Sequence, residues 1–245
     1  MKFSIITITY NAAETLPSTL RSVCSQTCGD YEHLIIDGAS TDATLSLARD
    51  VAPDPRRRVF SEPDKGLYDA MNKGIRHAKG DYLIFLNAGD TFADERTLQR
   101  FADAAKDRPD IIYCDTMLVD ADRRIVGRRH LDVPERLTFK SFAMGMLVCH
   151  QAFCVRRDLA GNYDLRYRFS ADYEWCLRCL KKSDPDRCVN LSIPGIHYLT
   201  DGLTDRNHKA SLKERFRIMC RYYGTIPTLF RHIYFFFRNK KRKRP

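Results

Sequence analysis

The sequence lacks the features of several protein classes. No run approaches the ~20 apolar residues that span a bilayer, since the longest candidate, 233–237, is framed by basic side chains. The opening apolar run is short and is interrupted by Thr7 and Thr9, which argues against a signal peptide. Internal repeats are missing, and low complexity is confined to a terminal basic run. We therefore expect a folded chain that does not cross a membrane.

Two phosphate-binding fingerprints are missing as well. No Gly-x-Gly-x-x-Gly follows the first predicted strand, and no Gly-x-x-x-x-Gly-Lys-Ser/Thr occurs in the chain. The first absence disfavours a nucleotide-dependent oxidoreductase. A bound diphosphate would have to be neutralised by a cation or by basic side chains instead.

Composition narrows the class further. The 245 residues include nine cysteines, which predict free thiols in a reducing compartment when no export signal is present. Cys24 with Cys28 and Cys176 with Cys179 would be the zinc ligands of a thiolate site, but each pair begins within a helical pattern, which disfavours such a site. The net charge of +10 is concentrated at 238–244 and is not spread over one face, so we expect no nucleic-acid partner.

Strands and helices alternate over the first half of the chain. The β-branched run at 3–9 predicts a strand, and the spacing of Leu16, Leu20 and Val23 predicts a helix. Further strands are predicted at 33–36, 59–62 and 81–86, with helices at 44–49 and 69–78. Later strands are predicted at 111–115, 116–120 and 124–129, and helices at 172–181 and 209–223. This order predicts the α/β class, with a mostly parallel sheet flanked by helices and a helical C-terminal appendage.

Polar clusters follow three of the predicted strands, at 10–11, 37–42 and 87–90. Ligands of parallel sheets bind at the carboxyl ends of the strands, so these clusters predict a ligand site. A carboxylate there can serve a ribose hydroxyl, a base edge or a metal ion, which makes Asp37 and Asp90 the first candidates. A plain turn role for Asp90 stays open.

Four motifs occur in order with suitable spacing. They read SIITITYNA at 4–12, IIDGASTD at 35–42, DKGLYDAMNKG at 64–74 and GDYLIFLNAGD at 80–90. Together they resemble the family-2 glycosyltransferases, which have the Rossmann-like GT-A fold. The resemblance implies a GT-A domain at 1–205, made of a donor-binding half at 1–110 and an acceptor-side half at 111–205. A basic helical extension would follow at 206–245.

The resemblance implies a donor site built from matching residues. Tyr10 would pack against the nucleotide base, with Asn11 supporting its loop. Asp37 would contact base or ribose, although the family usually reads Asp-Asp-Gly-Ser where this chain keeps a single carboxylate. The remaining residues carried over to the nucleotide-sugar pocket are Asp64, Lys65, Asn72 and Asn87.

The metal motif of the family is reduced in this chain. Where the family usually reads Asp-x-Asp-Asp, residues 87–90 read Asn-Ala-Gly-Asp. The resemblance leaves Asp90 as the expected ligand of a divalent cation, Mg²⁺ or Mn²⁺, which a diphosphate would help to hold. His197 is a further candidate for the metal shell.

The segment 170–175 resembles the family's Glu-Asp element at the start of a helix, with Ala171 in place of the Glu. Asp172 is then the expected catalytic base, and Glu174 is the reserve candidate. An acidic residue in the first turn is also favoured by the helix dipole alone. The stretch around His150 resembles one that lies under the acceptor, so His150 would bind acceptor or diphosphate, with a structural role left open.

These residues predict an inverting hexosyltransferase. A sugar would pass from a nucleoside-diphosphate donor, UDP-linked, to a hydroxyl of a glycan or lipid-linked acceptor in cell-surface polysaccharide synthesis. Asp172 would take the hydroxyl proton while the metal-stabilised diphosphate leaves. A glycoside hydrolase would need a second flanking carboxyl group, which no other acidic pair supplies. A catalytically weak or dead nucleotide-sugar-binding module stays open as the alternative.

The C-terminal end predicts contact with a membrane surface. Its apolar side chains, Leu229, Phe230, Ile233, Tyr234, Phe236 and Phe237, directly precede the basic run. Aromatic residues enter the headgroup boundary, and basic residues are attracted to anionic lipid. We therefore expect a cytoplasmic enzyme attached peripherally to the inner face of the cytoplasmic membrane. Packing of the aromatic residues on the domain remains the alternative.

Overall fold

The computed structural model describes residues 2–200 and 208–242, with side chains for 2–200 and 209–235. Its strands are β1 (Phe3–Thr9), β2 (Tyr31–Asp37), β3 (Arg57–Ser61), β4 (Tyr82–Phe85), β5 (Thr91–Phe92), β6 (Ile111–Val119), β7 (Ile125–Arg128), β8 (Phe153–Arg156) and β9 (Cys188–Leu199). Its α-helices are α1 (Leu16–Cys24), α2 (Thr44–Asp50), α3 (Leu67–His77), α4 (Thr97–Ala104), α5 (Ala171–Lys182), α6 (His208–Tyr223) and α7 (Thr225–Arg242). None of these helices combines the length and apolar character needed to span a bilayer.

The strands form one mixed sheet in the order β3-β2-β1-β4-β8-β6-β9-β5, and β7 pairs with β6. The first four strands in this order are parallel. Strand β8 runs antiparallel to both β4 and β6, and β9 returns parallel to β6. The prediction of an α/β protein with a mostly parallel sheet flanked by helices is confirmed, and the C-terminal helices are present.

The sheet is buried because helices cover both of its faces. Every residue of β1 and β2 is buried, as expected for the near-continuous apolar runs of central parallel strands. Helix α3 approaches β1 closely, since a Cβ added at Gly74 would lie 2.4 Å from Cγ2 of Ile6. Helix α5 is anchored by Trp175, whose ring stacks on Tyr163 at 5.0 Å and meets Phe85 edge-on at 5.6 Å.

The second half of the sheet departs from the sequence prediction. The two strands predicted at 111–115 and 116–120 form the single strand β6, and β8 and β9 were not predicted. Strand β9 could not be recognised from the sequence because Pro194 interrupts its strand pattern. Its register with β6 shifts at this residue. The predicted boundary between domain and extension, at 205/206, lies outside the described residues.

Candidate active site

An open cleft of about 740 Å³ lies at the carboxyl ends of β4, β6 and β9. Its walls are completed by the start of α5 and by one face of α6. The cleft brings together four of the predicted site residues, which are Asn87, Asp90, His150 and Asp172. This is the edge of the sheet at which α/β proteins bind ligands.

The loop after β1 is fixed to the loop after β2 by Asn11. This residue has φ 48°, a left-handed conformation that Asn tolerates better than most residues. Its backbone N–H donates to Oγ of Ser40 at 2.8 Å, and its Oδ1 accepts from the N–H of Thr41 at 2.9 Å. The neighbouring ring of Tyr10 is 66% exposed, so it is accessible for stacking on a base.

Asp37 is directed into the protein and away from solvent. Its carboxylate accepts from Oγ1 of Thr9 (2.9 Å), from Oγ of Ser61 (2.8 Å), and from both N–H and Oγ of Ser40 (2.9 and 2.5 Å). Burial alone would raise the pKa of Asp37, but the hydrogen bonds outweigh it and lower the pKa below its usual range. Four donors occupy the carboxylate, so it fastens the ends of β1 and β3 to the loop after β2. The expected contact of Asp37 with base or ribose stays a prediction.

Tyr10 and Asp64 both lie next to Gly38. A Cβ added at Gly38 would lie 2.4 Å from Oδ2 of Asp64 and 3.4 Å from Cδ2 of Tyr10. The other oxygen of Asp64 accepts from the N–H of Gly66 at 2.7 Å, which orients the carboxylate at the start of α3. Lys65 is exposed beside it. The first, second and third motifs therefore converge on one shallow surface.

Asn72 does not face this surface. Its side chain is 5% exposed, its Nδ2 donates to the carbonyl of Tyr163 at 3.0 Å, and its Oδ1 accepts from the N–H of Tyr163 at 2.6 Å. Both ends of the amide are thus occupied by one peptide segment. Asn72 fastens α3 to residue 163, contrary to the expectation that it lines the donor pocket.

Asp90 lines the cleft although it is only 4% exposed. Its Oδ1 accepts from the N–H of Leu199 at 3.0 Å, and its Oδ2 accepts from Nε2 of Gln151 at 2.8 Å. Burial raises the pKa of Asp90 to about 7, against the smaller lowering by these hydrogen bonds. The site therefore holds the charged carboxylate poorly unless a positive group joins it.

Asn87 lines the same cleft and supplies a side-chain carbonyl oxygen. Its Oδ1 is buried and has no hydrogen-bond partner among the described residues, while its Nδ2 lies 3.5 Å from Nε2 of His150. An unpaired carbonyl oxygen and a buried carboxylate are ligands that suit Mg²⁺ or Mn²⁺, provided that a diphosphate and water complete the shell.

His197 is not among the side chains that line the cleft. It lies on β9 opposite Thr91 of β5, and burial lowers its pKa. In the described part of the chain, no three His, Cys, Asp or Glu side chains converge as a ready-made metal site. The expected contribution of His197 to a metal shell therefore finds no support in its position.

Asp172 is the second residue of α5 and reaches the cleft from that helix. Its Oδ1 accepts two hydrogen bonds, from the hydroxyl of Tyr68 at 3.1 Å and from the N–H of Tyr173 at 2.8 Å. Among the described residues, Oδ2 accepts no hydrogen bond, and Nδ1 of His150 lies 3.8 Å from it, which is too long for one. One oxygen is fixed, and the other keeps its lone pairs for a ligand.

Tyr68 was missed because a tyrosine at helical spacing is typical of a core residue. It is 6% exposed, stacks on Tyr163 at 5.5 Å and lines the cleft. Burial, together with the charge of Asp172, raises the pKa of Tyr68 well above its ordinary value. The phenol therefore stays protonated and acts as a donor to Asp172.

His150 is 7% exposed and lies between Asn87 and Asp172. Burial lowers its pKa, which keeps the imidazole neutral at neutral pH. Glu174 has a different environment: it is 2% exposed, pairs with Nε of Arg178 at 2.9 Å and accepts from the hydroxyl of Tyr222 at 2.5 Å. It joins α5 to α6 and does not line the cleft, so it is not placed to act as the reserve base.

The sequence analysis also missed the three arginines that line the cleft, Arg128, Arg129 and Arg215. Arg129 donates to the carbonyls of Met146 and Leu147, which holds it at the rim. Arg215 of α6 lies 5.9 Å above the ring of Tyr173, and its Nε is buried without a partner in the described part of the chain. Both guanidinium groups are positioned to meet an anionic ligand.

Comparison with known proteins identifies the family to which the sequence is similar. Residues 4–163 match Glycosyl transferase family 2. The chain is 41% identical over 184 residues to the "PGL/p-HBAD biosynthesis glycosyltransferase" of Mycobacterium bovis (strain BCG / Pasteur 1173P2), covering 72% of this chain and 69% of that protein.

Solved structures agree in fold. Staphylococcus aureus TarS 1–349 in complex with UDP-GlcNAc has a TM-score of 0.68 at 19% identity, over 82% of this chain and 59% of TarS. The mannosyltransferase PcManGT from Pyrobaculum calidifontis, in complex with GDP-Man and Mn²⁺, has a TM-score of 0.65 at 17% identity. The match covers 92% of this chain and 64% of PcManGT. The chain thus spans less than two thirds of either solved chain. With a family match over more than half of its length, it belongs to glycosyl transferase family 2 and is a glycosyltransferase with the GT-A fold.

Proposed function

We propose that this enzyme transfers a sugar, with inversion, from a nucleoside-diphosphate donor to a hydroxyl of its acceptor. The observation that carries the proposal is the carboxylate of Asp172, which is fixed through Oδ1 and open through Oδ2. Oδ2 accepts the hydroxyl proton as the acceptor oxygen bonds to the anomeric carbon, and the bond to the diphosphate breaks with its electron pair. A single base without a covalent intermediate gives one displacement.

The donor is proposed to be a UDP-sugar that spans two regions. The base would lie near the exposed ring of Tyr10, and the diphosphate would lie in the cleft near Asn87 and Asp90. TarS, which shares the fold, is solved with UDP-GlcNAc and with UDP, which supports a uridine donor.

A divalent cation would be held by Asp90 and by Oδ1 of Asn87, together with diphosphate oxygens. When bound, it would neutralise the charge that develops on the leaving diphosphate. Arg129 and Arg215 line the same cleft and add positive charge there without a metal. PcManGT, which shares the fold, is solved with Mn²⁺.

The acceptor is proposed to be a glycan or a lipid-linked glycan used in cell-surface polysaccharide synthesis. The acceptor-side wall of the cleft combines apolar side chains, Leu118, Met146 and Leu212, with the three arginines. Such a wall suits an amphiphilic acceptor. The name of the mycobacterial relative, which refers to PGL/p-HBAD biosynthesis, is consistent with acceptors of this kind.

The test is a panel of nucleotide sugars screened by thermal shift, followed by analysis of the product. A bound donor at 100 times its Kd should stabilise the fold by about 2.7 kcal/mol, and NAD should not. The anomeric configuration of the product, read by NMR, should be inverted. Retention of configuration would overturn the mechanism, and donor binding without transfer or hydrolysis, with and without Mn²⁺, would indicate a catalytically dead module.

A further inference from the structure

Helices α6 and α7 form a hairpin that turns at Gly224, whose φ of 86° is left-handed. One face of α7 packs inward. Thr228 is fully buried, His232 meets the ring of Phe216 edge-on at 5.0 Å, and Phe235 packs against the main core. The inner face of α7 therefore has its partners within this chain.

The outer face of α7 carries large apolar side chains that are exposed to solvent. Its side chains are Ile226 (69% exposed), Leu229 (48%), Phe230 (70%), Ile233 (54%) and Tyr234 (53%). Their spacing places them on one side of the helix. Five large apolar side chains exposed together mark an interaction surface, because soluble proteins seldom leave such a patch in water.

The positive charge near the end of α7 indicates an anionic partner for the apolar face. Beyond the apolar face, α7 continues through Arg238, Lys240, Lys241 and Arg242. Each basic residue near an anionic leaflet contributes about 1 kcal/mol of attraction, and a helix of this type buries its apolar face at the headgroup boundary. A second copy of this chain is disfavoured as the partner, because its net charge is also +10.

We propose that α7 lies in the headgroup region of an anionic bilayer, with its outer face in the lipid and its inner face on the protein. Anionic lipid gives the cytoplasmic leaflet a negative surface potential, which makes this leaflet the proposed place of attachment. Leu212 and Arg215 of α6 line the cleft, which places the lipid surface one helix away from the site. This last step rests on the proposed function, because it lets a lipid-linked acceptor reach Asp172.

The test is cosedimentation with vesicles of phosphatidylglycerol and phosphatidylcholine at low salt. The wild-type protein should bind these vesicles, bind pure phosphatidylcholine weakly and be released by salt. The triple variant Ile226→Ser, Phe230→Ser, Ile233→Ser should bind about tenfold or more weakly. The matched control, Ile125→Ser with Val126→Ser, removes two exposed apolar side chains from β7 and should bind as the wild type does.

Two further readouts, circular dichroism and the oligomeric state, separate the possible failures. Circular dichroism of the triple variant should match the wild type, which shows that a loss of binding is not a loss of fold. Unchanged vesicle binding in the triple variant would overturn the proposal. A wild-type dimer that the triple variant converts to monomer would show instead that a second copy covers the face. Vesicle binding needs no donor, so failure of the nucleotide-sugar screen would leave this result standing.

Discussion

The hydroxyl of Tyr68 donates a hydrogen bond of 3.1 Å to Oδ1 of Asp172, across 104 positions of sequence. Tyr68 belongs to α3, in the predicted donor-binding half, and Asp172 belongs to α5, in the predicted acceptor-side half. The bond therefore ties the proposed base to the helix that follows Asp64, a predicted donor-site residue. The orientation of the base depends on how the two halves pack.

Removing this hydroxyl should impair the base without removing it. Tyr68→Phe keeps the ring that stacks on Tyr163, and it deletes a hydrogen bond to a charged group, worth about 1.5–3 kcal/mol. We expect kcat to fall about 10- to 100-fold, with KM for the donor nearly unchanged. A kcat equal to that of the wild type would leave Tyr68 with a packing role only.

Asp172→Asn keeps the shape of the side chain and removes its ability to accept the proton. The rate of transfer should fall by about 10²–10⁴, while donor binding measured by thermal shift stays nearly intact. Glu174→Gln is the matched control from the same helix, because Glu174 pairs with Arg178 outside the cleft. It should lower the melting temperature and retain most of kcat. A parallel loss of donor affinity in Asp172→Asn would place Asp172 in the donor pocket instead.

The location of the site could be predicted because it depends on the order of strands and polar clusters along the sequence. Polar clusters after strands must meet at one edge of a parallel sheet, and Asn87 and Asp90 do reach the cleft there. Alternating strands and helices likewise predicted the first half of the fold. The second half was harder, since β6 and β9 pair across about 80 residues and β9 contains a proline that hides its pattern.

The direction of individual side chains could not be predicted, because distant residues determine it. Asn72 lies in a donor-site motif, yet its amide bonds to Tyr163, 91 positions away. Glu174 lies two residues from the proposed base, yet it is paired with Tyr222 of another helix. A helix presents every direction in turn, so only its packing partners decide which side chain meets the ligand.

Asp90 should make cation binding depend on pH. Its pKa is about 7, whereas an unfolded aspartate ionises near pH 4, so the folded site is protonated through the mildly acidic range. A cation must displace that proton, and its affinity should fall about tenfold for each pH unit below 7. Calorimetric titration with Mn²⁺ in the presence of UDP, repeated at several pH values, measures this affinity. The Asp90→Asn variant should lose Mn²⁺ binding. The control variant Asp122→Asn, at an exposed position, should keep it. Equal Mn²⁺ affinities of the wild type at pH 6 and pH 8 would contradict the role of Asp90.

His33 provides a test of acid stability away from the cleft. It is fully buried, with Nε2 3.0 Å from Oγ1 of Thr7. The hydroxyl of Thr7 donates to the carbonyl of Leu86 at 2.7 Å, so the hydrogen shared with His33 comes from Nε2. Nδ1 has no partner within the described residues, and protonating it would bury an unpaired charge. Burial accordingly lowers the pKa of His33 to about 3.

Because the folded pKa lies below the unfolded value of about 6.5, only the unfolded chain takes up this proton between the two values. Stability from this residue is therefore complete above pH 6.5 and is lost progressively as the pH falls towards 3. His33→Gln keeps an N–H donor and cannot be protonated, so its melting temperature should fall less between pH 7 and pH 4 than that of the wild type. His77→Gln, at an exposed histidine, should retain the wild-type slope. Equal slopes for His33→Gln and the wild type would show that His33 is not responsible for the acid sensitivity.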